Sequence, residues 1–295
     1  MSNNSVIVFP KINNFFSGNN MFSGIKESIG GNSLVSKIAF IILIIIIFLI
    51  TLRLATYFMV WLFSPSKNPI LINGRSDAKR MLVYTQDPKL KGSKPILRSE
   101  NDYQGMQFTW SVWLFIDDIH YKENRYKHVF HKGNDNIQMN AQNKDAINLP
   151  SNAPGLYITD NQNQIAVIMN TFNKTTEKIF IDNIPIRKWF NVILRVSNQK
   201  TLDIFVNGVL SKRHVFQSPI KQNYGNVYAC MNGGFSGHIS ELRYFSEAIG
   251  INSIKNLVYR GPNLAELSGT DLTIINPSYL STRWYFSGNL DGYNP

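Results

Sequence analysis

Histidine, cysteine and carboxylate side chains carry most protein chemistry, and in this chain their spacing argues for binding rather than catalysis. His128 and His131 stand three residues apart in a stretch that reads as a strand. The two-residue side-chain period sends them to opposite faces, so they are not expected to share a metal ion. Cys230 is the only cysteine. It has no histidine that spacing would place beside it, and it reads as a small buried hydrophobe. Asp117-Asp118 lack the Asp-x-Asp ladder of a calcium loop and read as a solvated turn at a strand end. Gly30-Gly31 is followed by no Lys-Ser/Thr element, so no phosphate-cradling loop is present. No catalytic residue, metal or cofactor is expected. The candidates that remain are aromatic: Trp113, Phe115 and Tyr157, whose rings would form a platform for a sugar or a protein partner.

A formal charge of +11 could serve nucleic acid, an anionic membrane or an acidic partner, so its location decides. Lys67, Arg75, Lys79, Arg80, Lys89, Lys91, Lys94 and Arg98 crowd one stretch, opposed there by Asp77, Asp87 and Glu100. That stretch follows a long apolar run. Basic residues next to a membrane gain about 1 kcal/mol each from anionic headgroups, which accounts for the excess without nucleic acid.

The apolar run reads IAFIILIIIIFLITL from Ile38 to Leu52, then Arg53, then LATYFMVWLF to Phe63. Apolar on every side, it suits lipid better than a protein surface, and residues 38–63 are expected to be a single transmembrane helix. Placing the span from Ile38 to about Tyr57 lets Arg53 snorkel from within a turn of the interface. Tyr57 and Trp61 then lie at headgroup level, with Lys67, Arg75, Lys79 and Arg80 beyond them. The polar leader 1–37 is longer than a signal-peptide n-region, and no A-x-A cleavage site follows the run, so a signal anchor is expected. Lys26 and Lys37 on one flank against Lys67, Arg75, Lys79 and Arg80 on the other place the C-terminal part on the cytosolic side. A single cysteine agrees with a reducing compartment. Residues 64–95 are expected to be a basic stalk or an opening strand pair, and 96–295 a folded domain with a C-terminal extension.

That domain reads as short strands. Phe108, Trp110, Val112, Leu114 and Ile116 share one face of an alternating segment, with Thr109, Ser111, Trp113 and Phe115 on the other. Strands are also expected at 128–131, 155–159, 164–171, 179–181, 189–196, 202–206, 227–231, 238–245 and 283–287. Asn207-Gly208 tolerates positive φ at two successive positions and marks a type I′ hairpin. A short helix fits Ser253 to Arg260, stopped by Gly261-Pro262. Many strands and little helix imply a mainly β fold: a two-sheet antiparallel jelly-roll sandwich preceded by one transmembrane helix.

In order, FTWSVWLFIDD from Phe108, YKHVFHKG from Tyr126, WFNVILRV from Trp189, LDIFVNGVL from Leu202 and GFSGHISELRYFSEAI from Gly234 resemble the concanavalin A-like lectin/glucanase superfamily, in its laminin-G-like branch. The resemblance covers about 96–262 and implies architecture more than ligand. Glucanases of that superfamily carry a Glu-x-Asp-x-x-Glu strand, because retaining hydrolysis needs two carboxyl groups about 5–5.5 Å apart. Here Glu100-Asn101-Asp102 is the nearest match and Gly105 takes the third place, so a tethered glycosidase is disfavoured. The Asn- and Ile-rich style and the anchor also resemble membrane proteins of large DNA viruses. That resemblance implies a virion structural protein tethering an internal membrane to capsid proteins, with an outward-facing lectin-like attachment protein as the alternative.

Overall fold

A computed structural model describes residues 34–267 apart from 91, 103–104, 136–146, 150 and 161. Most of the leader and the expected strand at 283–287 lie outside the described residues. The chain divides into two units, 1–64 and 65–295.

In the first unit, α1 runs from Leu34 to Phe63. It begins four residues before the expected boundary and is long and apolar enough to cross a membrane. Isoleucine, leucine and phenylalanine are exposed on all its sides. Its hydroxyls turn back onto the helix: Thr51 Oγ1 donates to Ile47 O at 2.8 Å and Thr56 Oγ1 to Arg53 O at 2.7 Å. A polar group facing hydrocarbon needs such an internal acceptor.

The second unit is a sandwich of two antiparallel sheets. One sheet has seven strands: β1 (Arg75–Asp77), β3 (Glu100–Asp102), β4 (Gly105–Asp118), β9 (Trp189–Ser197), β10 (Thr201–Val206), β11 (Val209–Val215) and β13 (Ser236–Phe245). Their order is β1-β13-β4-β9-β10-β11, with β3 paired to the start of β4. The other has six, ordered β2-β12-β5-β6-β7-β8: β2 (Leu82–Tyr84), β5 (Lys127–Gly133), β6 (Asn152–Ile158), β7 (Gln164–Met169), β8 (Glu177–Asp182) and β12 (Asn226–Ala229). A helix, α2 (Ile251–Arg260), follows the last strand.

The alternation in β4 survives intact, with Phe108, Trp110, Val112, Leu114 and Ile116 all in the inter-sheet core. Phe190, Val192, Leu194 and Val196 of β9 face the same core, as do Leu202 and Ile204 of β10. Asn207 and Gly208 adopt φ of 51° and 78° and close the β10–β11 hairpin. Cys230 is buried in the core, where loss of solvent pushes its thiol pKa upward.

Two expectations need correction. Of the two readings of residues 64–95 the stalk fails and strands form, though not paired with each other: Leu71, Ile72, Leu82 and Tyr84 belong to the core, and β1 and β2 join one to each sheet by pairing with β13 and β12. Several basic side chains there are already engaged. Arg75 pairs with Glu266 at 3.2 Å, and Lys79 Nζ sits 5.0 Å from the centre of the Tyr121 ring. Lys94 Nζ donates to Leu71 O at 3.1 Å. The histidines are the second correction. Pairing of β5 with β6 slips between His128 and Phe130, so Val129 and Phe130 both turn into the core. The extra residue restores His128 and His131 to one face, their nitrogens 2.7 Å apart.

Candidate functional site

The three aromatic candidates are not brought together. Tyr157 lies in β6 of the six-stranded sheet and is fully buried. Its hydroxyl donates to Asn152 Oδ1 at 2.9 Å, within a network holding Asn148 and Asn170. Trp113 lies in β4 of the other sheet, on its outer face but only 7% exposed. Phe115 alone remains half-exposed, and its neighbours build the site.

Register places Asp77, His238, Phe115 and Trp189 side by side on the adjacent strands β1, β13, β4 and β9. Directly opposed residues share a face, so all four point away from the core. Trp189 leads β9, one residue before the core-facing Phe190. The Phe115 and Trp189 rings lie 5.7 Å apart, Phe115 and His238 6.1 Å, and Trp189 and His238 6.4 Å with nearly parallel planes. The three half-exposed rings form a triangle. His238 Nδ1 is buried with no hydrogen-bond partner among the described residues.

Beside the triangle opens a cleft of about 210 Å³ lined by Arg75, Ser76, Asp77, Arg80, His238, Glu266 and Leu267. Residues after α2 build its far wall, because Arg75 N donates to Ala265 O at 2.7 Å and Leu267 N to Arg75 O at 3.0 Å. His238 therefore belongs to both the aromatic triangle and a polar cleft holding carboxylates and guanidinium groups. Apolar rings beside directional donors and acceptors suit a ligand with one apolar and one hydroxylated face. Sequence alone could find Trp189, which alternation places outside; it could not pair Trp189 with Phe115 and His238, since that pairing joins strands far apart in the chain.

The other candidates fall elsewhere. Arg53, Tyr57 and Trp61 are exposed on α1, while Lys67 and Arg80 are exposed in the second unit. Asp117 and Asp118 are solvated, and Asp118 accepts from His120 N at 2.9 Å. Among the described residues, no three His, Cys, Asp or Glu side chains converge as metal ligands would.

No family model and no curated protein matches the chain. Among solved structures, it is similar to the botulinum neurotoxin serotype D ligand-binding domain in complex with N-acetylneuraminic acid, at 10% identity and a TM-score of 0.45 over 65% of this chain and 45% of that one. The botulinum neurotoxin serotype G binding domain gives 12% and 0.43 over 63% and 46%. The receptor-binding domain of the C/D mosaic serotype gives 13% and 0.40 over 52% and 36%. The chain spans less than half of each of these structures. At such values the likeness carries no argument about function.

Proposed function

We propose that this chain is a non-catalytic, single-pass membrane protein whose β-sandwich binds a glycan through the face built on Phe115, Trp189 and His238. The supporting observation is the ring triangle, half-exposed on an outer sheet face and continuous with a polar cleft. A pyranose offers C–H groups to the rings and hydroxyls to Asp77 and Arg80 of the adjoining cleft. The full chain in detergent is applied to a glycan array. At least one glycan is expected to bind, and Trp189→Ala to weaken it tenfold or more, which corresponds to about 1.4 kcal/mol. Binding that survives both Trp189→Ala and Phe115→Ala would remove the site; no binding to any glycan would leave a protein as the partner of this face.

Localisation belongs to the same proposal. Helix α1 spans the bilayer, and the positive flank from Lys67 to Arg80 orients the sandwich toward the cytosol. The narrower role implied by the viral resemblance, a tether between an internal virion membrane and capsid proteins, is consistent with an anchored binding module. Cross-linking in intact particles, with capsid proteins recovered on the sandwich, is its test.

A further inference from the structure

At one end of the sandwich the sheets part around a cavity of about 160 Å³ that the aromatic face does not reach. Its floor is aromatic: Phe108 and Trp110 at the start of β4 and Tyr244 at the end of β13, with Trp110 and Tyr244 edge to face at 5.1 Å. Its roof comes from residues 96–98 and the 221–224 loop. Lys132, at the end of β5, enters from the six-stranded sheet and is 9% exposed.

The charge of Lys132 carries the argument. An ammonium has three N–H donors, and the one acceptor found among the described residues is a neutral carbonyl, Gly225 O at 2.7 Å. The loop is fixed over it, because Asn223 Nδ2 donates to Lys132 O at 2.6 Å and Asn223 Oδ1 accepts from Gly225 N at 3.1 Å. Among the described residues no carboxylate lines the cavity, whereas Arg98 and Lys221 add two further cations. Burial alone lowers the Lys132 pKa to about 8, with no opposing charge to restore it. A buried cation without a counter-charge is costly, and a bound anion would relieve that cost.

We infer that this cavity is a second binding site, for a small monoanion with a flat apolar body such as an aromatic carboxylate, its charge on Lys132 and its body against Trp110 and Tyr244. Its volume admits a single-ring compound and excludes an oligosaccharide, so the site is independent of the glycan face.

The full chain in detergent is titrated with 4-fluorobenzoate and, separately, with its uncharged isostere 4-fluorobenzamide. Fluorine line broadening is the readout, with protein-free micelles as blank. The acid is expected to bind at least tenfold more tightly than the amide. Lys132→Met retains the stem without the charge and is expected to abolish that preference while leaving amide affinity within twofold. Equal affinity for both compounds in the wild-type chain, binding of neither at millimolar concentration, or an undiminished preference in Lys132→Met would each overturn the site. Should the variant fail to show a cooperative melt, the wild-type comparison decides alone.

Discussion

The two histidines of β5 show how one residue's protonation is set by its neighbours. A carbonyl can only accept, so His131 Nε2, 2.7 Å from Asn134 O, carries a proton. A backbone N–H can only donate, so His128 Nδ1, 3.0 Å from Met231 N, carries none. His128 Nε2–H therefore donates to His131 Nδ1, and both rings are neutral. Burial, with the neighbouring His131, holds the His128 pKa well below 6.5, and burial holds His131 at about 4. The unfolded chain thus binds more protons than the folded one between about pH 6.5 and 4. Stability from this pair is fully present above about pH 6.5 and is lost as the pH falls toward 4, by roughly 3 kcal/mol for His131. Urea denaturation followed by tryptophan fluorescence at pH 7 and pH 5 is expected to show that slope, and His131→Gln to flatten it. Asp203 behaves oppositely. Burial raises its pKa, but hydrogen bonds from Arg213 and Arg195, each as close as 2.6 Å, outweigh burial and hold the carboxyl below its ordinary value. Asp203→Ala strands Arg195 in a nearly buried position and is expected to destabilise the sandwich by about 3 kcal/mol in the same measurement.

Among elements, legibility follows the length of uninterrupted period. Fourteen-residue β4 and nine-residue β9 could be read residue by residue because every second side chain reaches the core. β5 could not, because the bulge between His128 and Phe130 breaks the period within a single strand. The three-residue strands β1 and β2 hold no period at all, and their partners β13 and β12 lie well over a hundred residues later, so a basic and proline-containing stretch concealed part of the core. The candidate site was half legible for the same reason. Phe115 is readable within its strand, Tyr157 is covered by Ile147 from a loop that no periodicity marks, and the juxtaposition of Phe115, Trp189 and His238 exists only across strands. The turn at Asn207-Gly208 was local and therefore readable. A side chain at Gly208 meets both a φ of 78° and a contact at 3.3 Å to Val258 Cγ2 on α2. Gly208→Val is expected to cost at least about 1 kcal/mol, whereas the same change at Gly250, with open space around its Cβ, costs less. Thermal denaturation of the two variants side by side measures the difference.

At the scale of the whole molecule, α1 and the basic flank could each account for the proposed membrane association, and they predict different things. From Leu34 to Leu52 the helix rises about 27 Å, close to the roughly 30 Å hydrocarbon core, so the proposed span would set Arg53 at the interface with Tyr57 and Trp61 beyond it. No charge would then lie at the bilayer centre, and Lys37, within a turn of the opposite end, could snorkel. The flank is weaker than its sequence implies, because Glu266 offsets Arg75 and Lys94 is turned onto backbone carbonyls of the sandwich. Attraction through the remaining cations is screened within about 10 Å at 0.1 M salt, whereas insertion of an apolar helix is indifferent to salt. The intact chain is therefore expected to stay with the membrane pellet in 1 M sodium chloride and in alkaline carbonate, and to leave it only with detergent. Removal of 1–64 is expected to shift the sandwich into the supernatant at physiological salt. An intact chain released by salt alone would show that the flank, not α1, holds the protein to the bilayer.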